Sequence, residues 1–136
     1  MISLRAPGVI RLRATISDED QEEAFHWSVY IADKAKRNDD VPVRFAVATL
    51  RAEGDGAWAD IDVGCFLIGD VELENDRFLA AVQESDAPET LFDIARLHLQ
   101  SQLALVGSGV QIPFSSPEGE INLYSVDGAT PDAKDA

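Results

Sequence analysis

Apolar and polar residues alternate along four stretches of the chain. In Val9–Ile16, Ile10, Leu12, Ala14 and Ile16 fall on one side, and Arg11, Arg13 and Thr15 on the other. In Phe25–Ala32 the apolar side is Phe25, Trp27, Val29 and Ile31. In Val41–Leu50 it is Val41, Val43, Phe45 and Val47, and in Trp58–Ile68 it is Ile61, Val63, Cys65 and Leu67. A period of two predicts half-buried strands. Gly54-Asp55-Gly56 supplies the positive φ values of a tight hairpin. Gly64, inside the fourth stretch, predicts a bulge or a close approach of backbone. Ser17–Glu23 reads as an acidic connector and Asp33–Asp40 as a charged turn. Four strands joined by short polar links predict an antiparallel meander.

After Ile68 the period lengthens. Glu74–Glu84 predicts a short helix with Phe78, Leu79 and Val82 on its apolar side. Pro88–Val106 predicts a long one. Asp86 and Glu89 fit a capping pair, Pro88 suits the first turn, and Gly107 provides a stop. At 100° per residue, Leu91, Phe92, Ile94, Ala95, Leu99, Leu103, Leu105 and Val106 cover roughly half the circumference, whereas packing on one sheet needs about 100°. The helix is therefore expected to be covered on two sides. His98 and Gln102 lie within this arc, as hydrogen-bonded core or interface residues. Beyond the helix, Val110–Phe114 reads as extended and Ile121–Tyr124 as a last apolar patch. The expectation is α+β: a four-stranded sheet with both helices on one face. One domain spans residues 1–126, and 127–136 forms a disordered acidic tail.

Composition narrows the function. The chain has 136 residues and a formal net charge of −14. That balance disfavours nucleic acid, whose phosphates need a basic surface, and anionic membranes. No apolar run approaches a membrane span or a signal peptide, so a cytoplasmic location is expected. Cys65 is the only cysteine and lies in an apolar run, where a thiol acts as a small hydrophobe. Asp18 and Asp20 suggest a calcium loop, but Glu23 and Val29 stand where its glycine and its last glutamate belong. His26 and His98 form no metal-ligand spacing with Cys65, and Gly107-Ser108-Gly109 lacks the strand–turn–helix frame of a nucleophile elbow. No catalytic residues, metal or cofactor are expected, and the chain does not read as an enzyme.

The other sheet face carries Tyr30, Ala46, Ala48, Leu50, Trp58, Phe66 and Ile68 among Ser28, Arg44, Asp60 and Asp62. A solvated face usually carries more charge, so part of it is expected to meet a partner.

The pattern Pro88-x-x-Leu91-Phe92-x-x-Ala95-Arg96 resembles the SecB family of export chaperones. Gly64-Cys65-Phe66-Leu67-Ile68, Val110-Gln111-Ile112-Pro113 and Ile121-Asn122-Leu123-Tyr124 are similar to segments that flank that helix in the family. The likeness spans residues 9–124. Asp93 and Ile94 depart from the usual Pro-Tyr, Leu97 replaces an acidic residue, and the family's final helix is reduced to a short segment. The resemblance implies an ATP-independent holdase for non-native polypeptides, one that takes part in protein export. It also implies a homo-oligomer, a tetramer in preference to a dimer. The alternatives are a chaperone dedicated to one client, such as the antitoxin of a toxin–antitoxin pair, or an oligomeric interaction module without chaperone activity. Trp27, Tyr30, Trp58, Phe66 and Phe78 are the expected client contacts, with core packing the competing reading for each and the preferred one for Trp27. Leu91, Ile94, His98, Leu99, Gln102 and Leu105 are the expected contacts between copies.

Overall fold

A computed structural model describes residues 1–17, 22–117 and 120–126; the Asp18/Asp20 loop and the 127–136 tail lie outside the described residues. The elements in order are β1 (Ser3–Ile16), β2 (Ala24–Ala32), β3 (Lys36–Asn38), β4 (Val41–Gly54), β5 (Ala57–Ile68), α1 (Asn75–Glu84), α2 (Ala87–Leu105) and β6 (Glu120–Tyr124). The described sheet has six strands, not four, in the order β1-β5-β4-β2-β6, with β3 paired to β4. All pairs are antiparallel except β2 with β6.

The two additional strands correct the sequence reading for a local reason. β3 is Lys-Arg-Asn, with no apolar alternation to reveal it. Its pairing comes from the turn: Asn38 pairs with Val41, and Asp39 and Asp40 between them both have positive φ. That is the backbone of a two-residue primed turn. β6 is the apolar patch at Ile121–Tyr124, laid parallel to β2. The strand order is not a meander either. β1 pairs with β5 rather than with β2, which gives a Greek-key arrangement. The expected hairpin does form, with Gly54 paired to Ala57 across Asp55 and Gly56, both at positive φ.

Alternation sets the core face. The core face of β5 buries Ile61, Val63, Cys65 and Leu67, as expected, together with Ala57 and Ala59, and that of β2 buries Trp27, Val29 and Ile31. β4 is inverted relative to the sequence reading: its core side is Arg44, Ala46, Ala48, Leu50 and Ala52, and Phe45 and Val47 point outward. The cause is α2. Ala46, Ala48, Ala52, Ala57 and Ala59 give the sheet a low surface, and Leu91, Phe92, Leu99 and Leu103 of α2 fill the space above it. Trp27 meets Phe92 edge to face at 5.1 Å. β1 starts at Ser3, six residues before the expected Val9, and its register slips between Arg5 and Gly8 and again between Val9 and Arg11. Leu12 and Ala14 pack against the core, whereas Ile10 and Ile16 are exposed.

The expected capping pair of α2 does not form. Asp86 makes no side-chain cap, and Glu89 accepts bonds from the Ser116 backbone N–H and hydroxyl. The stop at Gly107 does form: Gly107 N–H bonds to the Ala104 carbonyl and Ser108 N–H to that of Leu103, the two bonds of a Schellman motif. The segment that follows crosses α2. Gln100 donates to the Val110 carbonyl and accepts from the Ile112 N–H, so its amide stands in for a strand neighbour.

Among the described residues Arg44 is the one buried cation on the core face. Its guanidinium donates to the carbonyls of Val71, Leu73 and Ala32 and to Asn75 Oδ1, and lies 3.9 Å from the centre of the Phe78 ring. Burial pulls its pKa below the usual arginine value, and nearby Asp33 acts in the opposite sense. Two of these bonds hold carbonyls of the β5–α1 connector, one the first residue of α1 and one the end of β2, so a single side chain ties the three together.

Two stability predictions follow from this core. Arg44→Met removes the donors and leaves buried carbonyls unsatisfied, at an expected cost of about 2–4 kcal/mol. Urea unfolding should show a lower midpoint at unchanged slope; a loss below about 0.5 kcal/mol would show that the cage contributes nothing. The second concerns Cys65, whose pKa is pushed by burial from 9.0 to about 12. Between those values the folded state holds a proton that the unfolded state has released. Stability should therefore fall as pH rises through that window, by about 1.4 kcal/mol per pH unit at most. Cys65→Ala should flatten that decline, read as melting temperature against pH.

Candidate functional site

The face of the sheet away from α2 is ordered in rows, because residues paired across an antiparallel ladder point the same way. One row runs Arg5–Phe66–Phe45 by direct pairing and continues to Ala32 and its partner Tyr124. The next is Gly8–Gly64–Val47–Tyr30–Asn122. Beyond it come Arg11–Asp62–Thr49–Ser28–Glu120 and then Arg13–Asp60–Arg51–His26. Trp58 follows, beside Thr15 and Glu53. The outer face therefore divides into an apolar end and a charged end.

At the apolar end, Phe45 and Phe66 meet at 5.5 Å and form a ridge between two recesses, each of about 220 Å³. Ile10, Val9, Gly8 and Gly64 line the first. A Cβ at Gly64 would come within 2.6 Å of Ile10 Cδ1 and 3.1 Å of Phe45 Cζ, so a side chain there would displace the Ile10 tip that lines the recess. The close approach of backbone that the sequence suggests at Gly64 is not made: its nearest neighbours are side chains, and the register shifts flank its β1 partner Gly8. Ala32 floors the second recess, with Val43 and Tyr124 as walls and Lys34 and Lys36 at the rim. Burial, and after it the Asp33 carboxylate, raise the Tyr124 pKa.

At the charged end, Arg13 donates two bonds to Asp60, which is buried, and Arg51 lies 3.6 Å from the same carboxylate. The Asp60 bond holds the Arg13 pKa up. The two guanidiniums sit 5.1 Å and 4.5 Å from the Trp58 ring centre. Arg11 pairs with Asp62, which also accepts from Thr49.

The expected client residues are thus separated. Phe66 and Tyr30 lie at the apolar end. Trp58 is on the same face but in the arginine clamp, about 26 Å from Phe66 at about 3.3 Å per strand residue. Trp27 and Phe78 are buried, Trp27 against Phe92 and Phe78 beneath Arg44, so neither offers a surface. Sequence reasoning missed Phe45, Val47, Ile10 and Tyr124. The signal was the alanine run of β4, which marks its closely packed side.

On α2, Leu91 and Leu99 are buried against the chain's own sheet and are not free to meet another copy. Ile94 and Gln102 are half-buried, and His98 and Leu105 are exposed. Leu97, which the sequence reading left out, is 62% exposed, and Leu105 77%. Ile94, Leu97, His98, Ser101 and Leu105 form one stripe on the solvent side of the helix. Ser108 donates to the Gly54 carbonyl and accepts from Val110 N–H, so its hydroxyl has a structural role. Among the described residues no group of three His, Cys, Asp or Glu is placed to hold a metal ion, and no helix is long and apolar enough to cross a membrane.

No family model and no curated protein matches the chain by sequence. Among solved structures, the fold is similar to the Mycobacterium tuberculosis Rv1957 SecB-like chaperone in complex with a ChAD peptide from the Rv1956 HigA1 antitoxin. The TM-score is 0.55 at 14% sequence identity, over 85% of this chain and 91% of that one. The likeness is one of fold: α+β, consistent with the SecB-like arrangement.

Proposed function

We propose that this chain is a SecB-like chaperone that holds an extended apolar segment of non-native polypeptide across the outer face of its sheet, without ATP. The observation that carries the reading is the Phe45–Phe66 ridge with a recess on either side, on a face that α2 leaves open. Aromatic walls present large area at low entropy cost and accept varied side chains. Burying a leucine or phenylalanine side chain fully is worth about 1.5–3 kcal/mol, from which ordering costs are subtracted. Two recesses therefore give weak, exchangeable binding, which suits holding and release.

A second reading, service to one dedicated client, is favoured by the peptide that the Rv1957 chaperone binds, which comes from an antitoxin. Under it the same groove recognises one sequence. Binding assays with several unrelated unfolded proteins separate the two, since a holdase binds most of them and a dedicated chaperone none at comparable concentration.

The residues are tested by a contrast of variants. Phe45→Ser with Phe66→Ser should weaken binding of an unfolded chain by about tenfold or more, with stability lowered by no more than about 2 kcal/mol for these half-buried rings. Trp58→Ser should leave binding unchanged and lose about 1–2 kcal/mol of cation–π stabilisation. Fluorescence anisotropy and urea unfolding give the two numbers. Loss of binding in the Trp58 variant alone would move the site to the charged end.

The assembly belongs to the same proposal: a homo-oligomer, a tetramer in preference to a dimer, joined through the Ile94–Leu97–His98–Leu105 stripe. Its exposed leucines favour coverage by a like surface. Leu97→Asp should reduce the mass seen by light scattering and leave the fold intact. Leu99→Asp places a carboxylate in the core and should unfold the chain, at a cost of several kcal/mol. A wild-type monomer at micromolar concentration would overturn this assembly.

A further inference from the structure

The charges around the groove run against those of the whole chain. The chain carries 25 acidic residues and a formal net charge of −14. Among the described residues no acidic one lines either recess, and the charged lining residues are Lys34 and Lys36. Arg5 pairs directly with Phe66 and so stands at the opposite end of the aromatic row. At the charged end of the same face every arginine has a carboxylate: Arg11 has Asp62, Arg13 has Asp60, and Arg51 has Asp60 and Glu53. Arg5 and Lys36, both exposed, make no hydrogen bond or ion pair among the described residues. Asp33, whose charge acts on Tyr124, accepts a bond from the Val126 N–H and does not line the recess.

We infer that the groove selects apolar segments flanked by acidic residues. This rests on the proposed function and adds its specificity. An extended segment crossing from β1 to β6 passes over four strand spacings, about 19 Å at about 4.8 Å each, which is the length of about six residues. Its apolar side chains enter the recesses beside Phe45 and Phe66. Its flanks then arrive at Arg5 on one side and at Lys36 on the other. A carboxylate there gains a partner, whereas a lysine meets like charge. Pairs at an exposed rim contribute modestly, and chiefly to association rate and choice of partner. The acidic remainder of the surface works the other way at long range, attracting basic chains until salt screens it. The rim and the net charge therefore make opposite predictions, and peptides can tell them apart.

The test uses three labelled peptides with one apolar six-residue centre, flanked by Glu, Gln or Lys, and wild-type protein, with affinities from fluorescence anisotropy. At low salt the Glu-flanked peptide should bind about threefold to tenfold tighter than the Gln-flanked one, and the Lys-flanked one weakest. The spread should shrink toward one at about 0.5 M salt. Lys36→Glu and Arg5→Glu, both at exposed positions, should each reduce or reverse the order while the Gln-flanked peptide binds as before. If the three peptides bind equally, or the Lys-flanked one binds best, the acidic preference is overturned and the holding function stands. If none binds at tens of micromolar, the proposed function falls, and the selectivity with it.

Discussion

The close approach of α2 to an alanine-floored sheet is the constraint on which the rest depends. A helix carrying Leu91, Phe92, Leu99 and Leu103 toward a sheet needs small residues beneath it, because a packed interior has no spare volume. Ala46, Ala48 and Ala52 of β4 and Ala57 and Ala59 of β5 meet that need. Once they face the helix, Phe45 and Val47 must face away, since neighbouring strand residues point to opposite sides. The outer groove is thus the complement of the inner packing. A larger residue at Ala48 would lift the helix and leave the groove in place, whereas a one-residue slip of β4 would exchange the two surfaces.

The same alternation explains why the outer face has two ends. Its charged end is internally matched, with Asp60 bound by Arg13 and Arg51 and with Trp58 covered by their guanidiniums. Its apolar end is open, floored by Ala32 and Gly64. Arg44 lies one position before Phe45 and points the other way, into its cage of carbonyls. Anchoring Arg44 therefore also anchors the start of the aromatic ridge, so one buried cation links the connector before α1 to the shape of the groove.

Much of the architecture was legible because it is local. Gly54-Asp55-Gly56 specifies its own turn, Gly107 ends its own helix, and the phases of β2 and β5 follow from a single dominant alternation. β4 was illegible because both of its phases are apolar. Val43, Phe45 and Val47 look like the stronger core set, and only the bulk of a distant helix decides against them. β3 was illegible because a Lys-Arg-Asn strand has no apolar signal, and β1 beside β5 because alternation carries no information on strand order. The candidate site was legible in part: alternation puts Phe66 and Tyr30 on the face away from α2, and only the strand pairing brings them to one end of it. Trp58 shares their phase along the sequence but not their end of the sheet, and Phe78 was claimed by a cation that is far from it in the chain.

The pairing of β1 with β5 has a consequence for how the molecule is made. Ser3 finds its partner only when Ile68 has been synthesised, and Ile16 only when Ala57 has. Contacts between residues so far apart in sequence form late, because loop closure must precede them. During translation the first strand emerges with Leu12 and Ala14, which later pack against the core, still uncovered and with no neighbour to bond. For that interval the newborn chain is itself an extended, partly apolar polypeptide looking for a sheet. Its arginines at 11 and 13, interleaved with those residues, keep that strand in water until β5 arrives.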